Sequence, residues 1–109
     1  MIELFSQLSP CRQRLVRLMQ QVNFGRIEGL LVVRGDPVFR PAPRTLQAIK
    51  LGGDNGPRQE SSLRDFRLAA EVVDLLDRLN QLGDGRVERL DVRHGLPFLM
   101  EIEREQTAA

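Results

Sequence analysis

Residues 63–82 read LRDFRLAAEVVDLLDRLNQL, and they organise everything around them. Leu68, Val72, Leu75, Leu79 and Leu82 recur at a 4-3-4-3 spacing, with Phe66, Ala69, Val73 and Leu76 as a second stripe beside them. That period predicts one long helix over 63–82. Ser62-Leu63-Arg64-Asp65 resembles a capping box with Asp in the usual Glu place, and Gly83-Asp84-Gly85 stops the helix. Two stripes make an apolar arc wider than one packing seam. A single sheet face hides part of it. The rest calls for a second helix or a second copy of the chain. Leu68, Val72, Leu75, Leu79 and Leu82 are therefore the expected partner interface, and a homodimer is the expected assembly.

Upstream, Ser9-Pro10 is a helix start, Ser as N-cap and Pro at the first helical position. Cys11, Leu15, Leu18, Met19 and Val22 share one face, so the helix should run from 10 to 22 with Cys11 buried as an inert thiol. Gly25 suits its left-handed C-terminal cap. Ile27–Phe39 reads as a hairpin with a Gly35-Asp36 turn of type II′, pairing Val33 with Val38. Residues 40–44 are an extended Pro-rich linker, 45–51 a third strand and 52–57 a loop. Residues 86–104 form a second hairpin. A three-residue His94-Gly95-Leu96 loop there brings Leu90, Val92, Phe98, Met100 and Ile102 to one face. Ile2, Leu4, Phe5 and Leu8 either form a first turn or short strand or leave 1–8 a flexible end, and 105–109 is expected to fray.

The order α-β-β-β-α-β-β predicts one α+β domain over 1–109, a largely antiparallel five-stranded sheet with both helices on one side. The two hairpins read with different spacing and turn type, so no internal repeat is expected.

The 109 residues are 41% hydrophobic and 28% charged, ordinary for a globular domain. No apolar run approaches a membrane span. The N-terminus lacks the pattern of a secretory signal, and one cysteine forms no internal disulfide. A cytoplasmic protein is expected. One His and one Cys do not make a zinc site, so no metal and no cofactor are expected. His94 falls in a turn, and the serines fall near helix starts, where capping explains them; no catalytic residues are assigned. Lys50–Arg58 is Gly-rich but lacks the Gly-Lys-Ser/Thr ending of a phosphate loop. Arg34-Gly35-Asp36 reads as a tight turn, not an adhesion motif.

The charge is split. Residues 1–58 carry nine basic and four acidic groups, and residues 59–109 carry seven and eleven. Fifteen of the sixteen bases are arginine. Arg12, Arg14, Arg17 and Arg26 are the candidate contacts for phosphate backbones. The expected function is thus a non-catalytic, self-associating interaction module. The alternative is a nucleic-acid-binding or regulatory factor that uses those arginines.

Overall fold

The structure is a computed structural model that describes residues 4–103. Its elements are α1 (Pro10–Val22), β1 (Phe24–Val33), β2 (Asp36–Val38), β3 (Arg44–Gln47), α2 (Ala70–Leu82), β4 (Gly85–Arg93) and β5 (Leu96–Ile102). All five strands form one antiparallel sheet in the order β2-β1-β4-β5, with β3 following β2 along the same edge of β1. The predicted α+β class and element order hold. Ile27, Leu30, Val32, Val87, Leu90 and Val92 point to one side, where Leu15, Met19, Leu75 and Leu79 close the core. The other side of the sheet is laced with Arg–Glu and Arg–Asp pairs.

α1 starts as expected. The Ser9 hydroxyl accepts the Arg12 N–H at 3.3 Å, and Pro10 follows. At its end Asn23, not Gly25, takes the left-handed position, with φ 60°. Gly25 belongs to β1 and serves a close approach instead.

Four expectations need correction. The long helix starts at Ala70, not Leu63. Asp65 does not close a capping box on it. It accepts the Ser6 N–H and hydroxyl, each at 2.9 Å, and so anchors the 3-10 turn Phe5–Gln7. Leu4 bridges to Arg67 and the Phe5 ring stacks on Phe66 at 4.9 Å. These long-range bonds hold 63–69 extended against the N-terminal segment. Phe5 and Leu8 are accordingly buried rather than part of a loose end, whereas residues 1–3 and 104–109 lie outside the described residues. The third strand is shorter than expected, ending at Gln47.

The hairpin turns need correction as well. Both are two-residue turns with positive φ at each position: Arg34-Gly35 at 52° and 78°, His94-Gly95 at 49° and 75°. This is the type I′ pattern, whose twist matches the flanking strands. Val33 pairs with Asp36, and Arg93 with Leu96. Leu90 still meets Met100, but the extra residue needed sits in a bulge at Phe98 rather than in the loop.

The turns therefore match, and so does much else. A shift of 60 residues carries Pro10–Val22 onto Ala70–Leu82, and the turn Arg34-Gly35 onto His94-Gly95. It equates Gly25-Arg26 with Gly85-Arg86, and Leu30, Val32, Gly35 and Pro37 with Leu90, Val92, Gly95 and Pro97. The expectation of no internal repeat is overturned: the chain is two α-β-β units. Misreading both turns hid the equivalence. The β1–β4 register is itself twofold, because the same shift turns the pair Leu30↔Val87 into Ile27↔Leu90 and Leu31↔Arg86 into Arg26↔Asp91. Each hairpin tip also caps the other unit's helix. Gly35 N–H donates to Gly83 O at 2.8 Å, and Gly95 N–H to Asn23 O at 2.9 Å.

Two predictions follow from the corrected fold. A Cβ on Gly25 would lie 1.9 Å from the Leu46 carbonyl oxygen of β3, whereas one on its counterpart Gly85 would meet the movable Leu82 side chain at 3.0 Å. In urea unfolding, Gly25→Ala is expected to cost about 2 kcal/mol or more, and Gly85→Ala under about 1 kcal/mol. The Asp65 carboxyl is held below its usual range, chiefly by the Ser6 N–H and then by the Ser6 hydroxyl. Its ionised form stabilises the fold, so the contribution is complete above the ordinary carboxylate pKa and is lost as pH falls below it. The melting-temperature gap between the wild type and Asp65→Asn should be constant above about pH 5 and narrow below about pH 4.

Candidate functional site

The residues expected to meet a partner are part of the chain's own core. Leu68, Val72, Leu75 and Leu79 are buried, as is Leu76, and Leu82 is half-buried. The wide arc is covered by the sheet and by neighbouring side chains, including the half-buried Phe66, Ala69 and Val73. It is not an unpartnered surface.

The four arginines are also engaged. Arg12 is a tie between three elements: its guanidinium meets Asp36 at 3.2 Å, donates to Gly35 O at 3.0 Å and reaches Asn80 on α2. Its side chain is 13% exposed. Arg14 covers the Phe39 ring at 4.4 Å. Arg17 lies 4.4 Å over Phe5 and donates to Gln20 and to the Glu60 and Leu63 carbonyls. Arg26 pairs with Glu28 at 3.1 Å on the open sheet face. They do not converge on one basic patch.

Cys11 is exposed, contrary to the expected burial. The buried stripe of α1 is Leu15, Val16, Met19 and Val22, one turn further along. His94 stacks on Phe24 with ring centroids 6.0 Å apart and sits at the exposed hairpin tip. Among the described residues no three His, Cys, Asp or Glu side chains gather as metal ligands, and no helix is long and apolar enough to cross a membrane.

What does remain open is a groove of about 850 Å³ between α2 and β5. Leu75, Arg78 and Leu82 form its helix wall, Phe98 and Leu99 its strand wall, and Leu90 lies at its base. Phe98 is 58% exposed and Leu99 50%. Arg93 stands 3.9 Å over the Phe98 ring. Glu71, Asp74, Asp84 and Glu103 line the same groove, against the single guanidinium of Arg78. Arg78 itself pairs with Asp74 at 3.2 Å. β5 is the end strand of the sheet among the described residues.

The internal repeat locates the counterpart of this groove in the first unit. The counterparts of Leu82, Asp84 and Gly85 are Val22, Phe24 and Gly25. β3 lies beside them in the sheet, pairing with β1 from Gly25 to Glu28 on the edge equivalent to the one that β5 takes on β4. The Gln47 amide donates to Val22 O at 3.2 Å, and Ala48 N–H to Phe24 O at 2.6 Å. Val38 and Phe39 are half-buried where Phe98 and Leu99 are exposed, and Arg14 lies over the Phe39 ring. Sequence reading missed this site because the signal is a comparison between halves, and the repeat had gone unseen.

Comparison with protein-family models, curated proteins and solved structures finds no match.

The network around Arg12 gives a test of the arginine assignments. Arg12→Ala should cost about 2 kcal/mol in urea unfolding, because it removes charge-assisted bonds to the first hairpin and to α2. Arg26→Ala, on the wet face, should cost under about 0.5 kcal/mol.

Proposed function

We propose that the protein is a non-catalytic interaction module that takes an extended segment of a partner chain into the groove between α2 and β5. One observation carries this reading. The groove of the second unit is open beside an end strand with Phe98 and Leu99 exposed, whereas their first-unit counterparts Val38 and Phe39 are half-buried. An end strand offers main-chain donors and acceptors, and alternating side chains can enter the groove beside it. The acidic lining favours a basic, apolar segment.

Self-association stays within this reading, but its site moves. Most of the arc on α2 serves the core, so a second copy would have to use the β5 side, where Leu75 and Leu82 of that arc line the groove. The phosphate-backbone alternative needs several accessible guanidiniums together; Arg12 and Arg17 are bonded within the fold, while Arg14 is exposed beside Phe39 and Arg26 pairs with Glu28 on the open sheet face. It is the weaker reading. A cytoplasmic location belongs to the same proposal and rests on the sequence alone.

The test is amide exchange of the full chain with a decapeptide of alternating leucine and arginine, titrated to about 1 mM. Protection of β5 amides by this peptide, and not by a leucine–glutamate counterpart, is the expected result. Unchanged exchange along β5 with both peptides would overturn the proposal.

A further inference from the structure

The segment that leads out of β3 has the chemistry the open groove requires. Residues 44–51 read RTLQAIKL. The first half is β3 itself, which pairs with the outer edge of β1. The second half leaves the surface, with Ile49 62% and Leu51 93% exposed. This loop is braced. Lys50 N–H donates to Asn55 Oδ1 at 2.9 Å, and Asn55 Nδ2 donates back to Lys50 O at 3.0 Å. Gly53 N–H also reaches Lys50 O at 3.0 Å. Asn23 Nδ2 in turn donates to the Asn55 and Gly56 carbonyls at 3.1 and 2.9 Å. Two large apolar side chains are thus held in water by an ordered loop, so little conformational entropy is lost when a partner covers them.

Charge points the same way. Arg40, Arg44 and Lys50 lie on residues 40–53, which contain no acid, although Arg44 stands 3.9 Å from Glu28 and Asp54 follows the segment. The groove lining has four carboxylates and one guanidinium. Two grooves placed face to face would oppose like charges, whereas loop against groove joins opposite ones.

We infer that the occupant of the α2–β5 groove is the Ile49-Lys50-Leu51 loop of a second copy of this chain. The inference rests on the groove reading above and names its partner. Ile49 and Leu51 cover the exposed Leu99 and Phe98, and Lys50 meets the acidic lining. The contact is heterologous. Two reciprocal contacts close a dimer, and one-way contacts build longer chains.

Sedimentation velocity of the full chain between about 5 and about 200 µM tests it. Association that rises with concentration and weakens with added salt is expected. Leu51→Glu and Leu99→Glu should each be monomeric with an unchanged melting profile, since both side chains are exposed. Mixed in equal amounts they should form a one-to-one complex, because one variant keeps the groove and the other keeps the loop. A wild-type chain that stays monomeric, a Leu51→Glu variant that associates like the wild type, or a mixture that stays monomeric would overturn the assignment. The peptide experiment separates the two ideas. Protection of β5 in a monomeric chain leaves the groove reading standing with a different occupant, and no protection removes both.

Discussion

The antiparallel pairing of β1 with β4 is the constraint on which the rest of the molecule depends. Its register is unchanged when the two α-β-β units are exchanged, so each unit meets the other in the same way. Ile27, Leu30 and Val32 are thereby set beside Leu90 and Val87 on a single buried face. The pairing is locked at both ends by the glycine tips, which donate to the last helical turn of the opposite unit. Helix ends leave carbonyls unsatisfied, and a reciprocal N–H from each tip answers one of them. Neither unit could satisfy that bond alone.

Symmetry is broken by residues 39–69. This stretch follows the first hairpin and wraps back over the first unit. β3 covers the edge of β1, Arg17 gathers the carbonyls around 60–63, and the Phe5–Phe66 stack ties the returning chain to the N-terminus. Two similar units therefore present different surfaces. One carries the insertion along the outer edge of its strand, and the other is open between α2 and β5. The difference is steric as well as chemical: Gly25 admits the β3 carbonyl where a Cβ would clash, while Gly85 faces only a leucine side chain.

The charge split also takes on a structural meaning. Few of the N-terminal arginines form a free cationic face. Arg12 joins α1, the first hairpin and α2, while Arg14 and Arg17 lie over aromatic rings. Guanidiniums suit these positions, since they are planar, weakly hydrated and able to donate in several directions. Exposed positive charge is found on Arg14 and Arg34 and, past the first hairpin, on Arg40, Arg44 and Lys50, while four carboxylates line the second unit's groove.

Local chemistry was enough to determine the class, the order of elements and the first helix. Ser9-Pro10 set its start, and the periods of 3.6 and 2 separated helices from strands. Turn identity was not legible. A lone Gly between strands fits several turns, and the side-chain alternation past it is the same whether an extra residue sits in the loop or in a bulge at Phe98. That ambiguity concealed the repeat. The start of α2 was not legible either, because the helical period continues back through Leu68 and Phe66. Bonds from Ser6 and Leu4, some sixty residues away, hold that stretch extended. Whether the apolar arc was covered, and which groove stayed open, could be decided only in three dimensions. Burial depends on which distant segment arrives at a face, and no spacing along the chain records that.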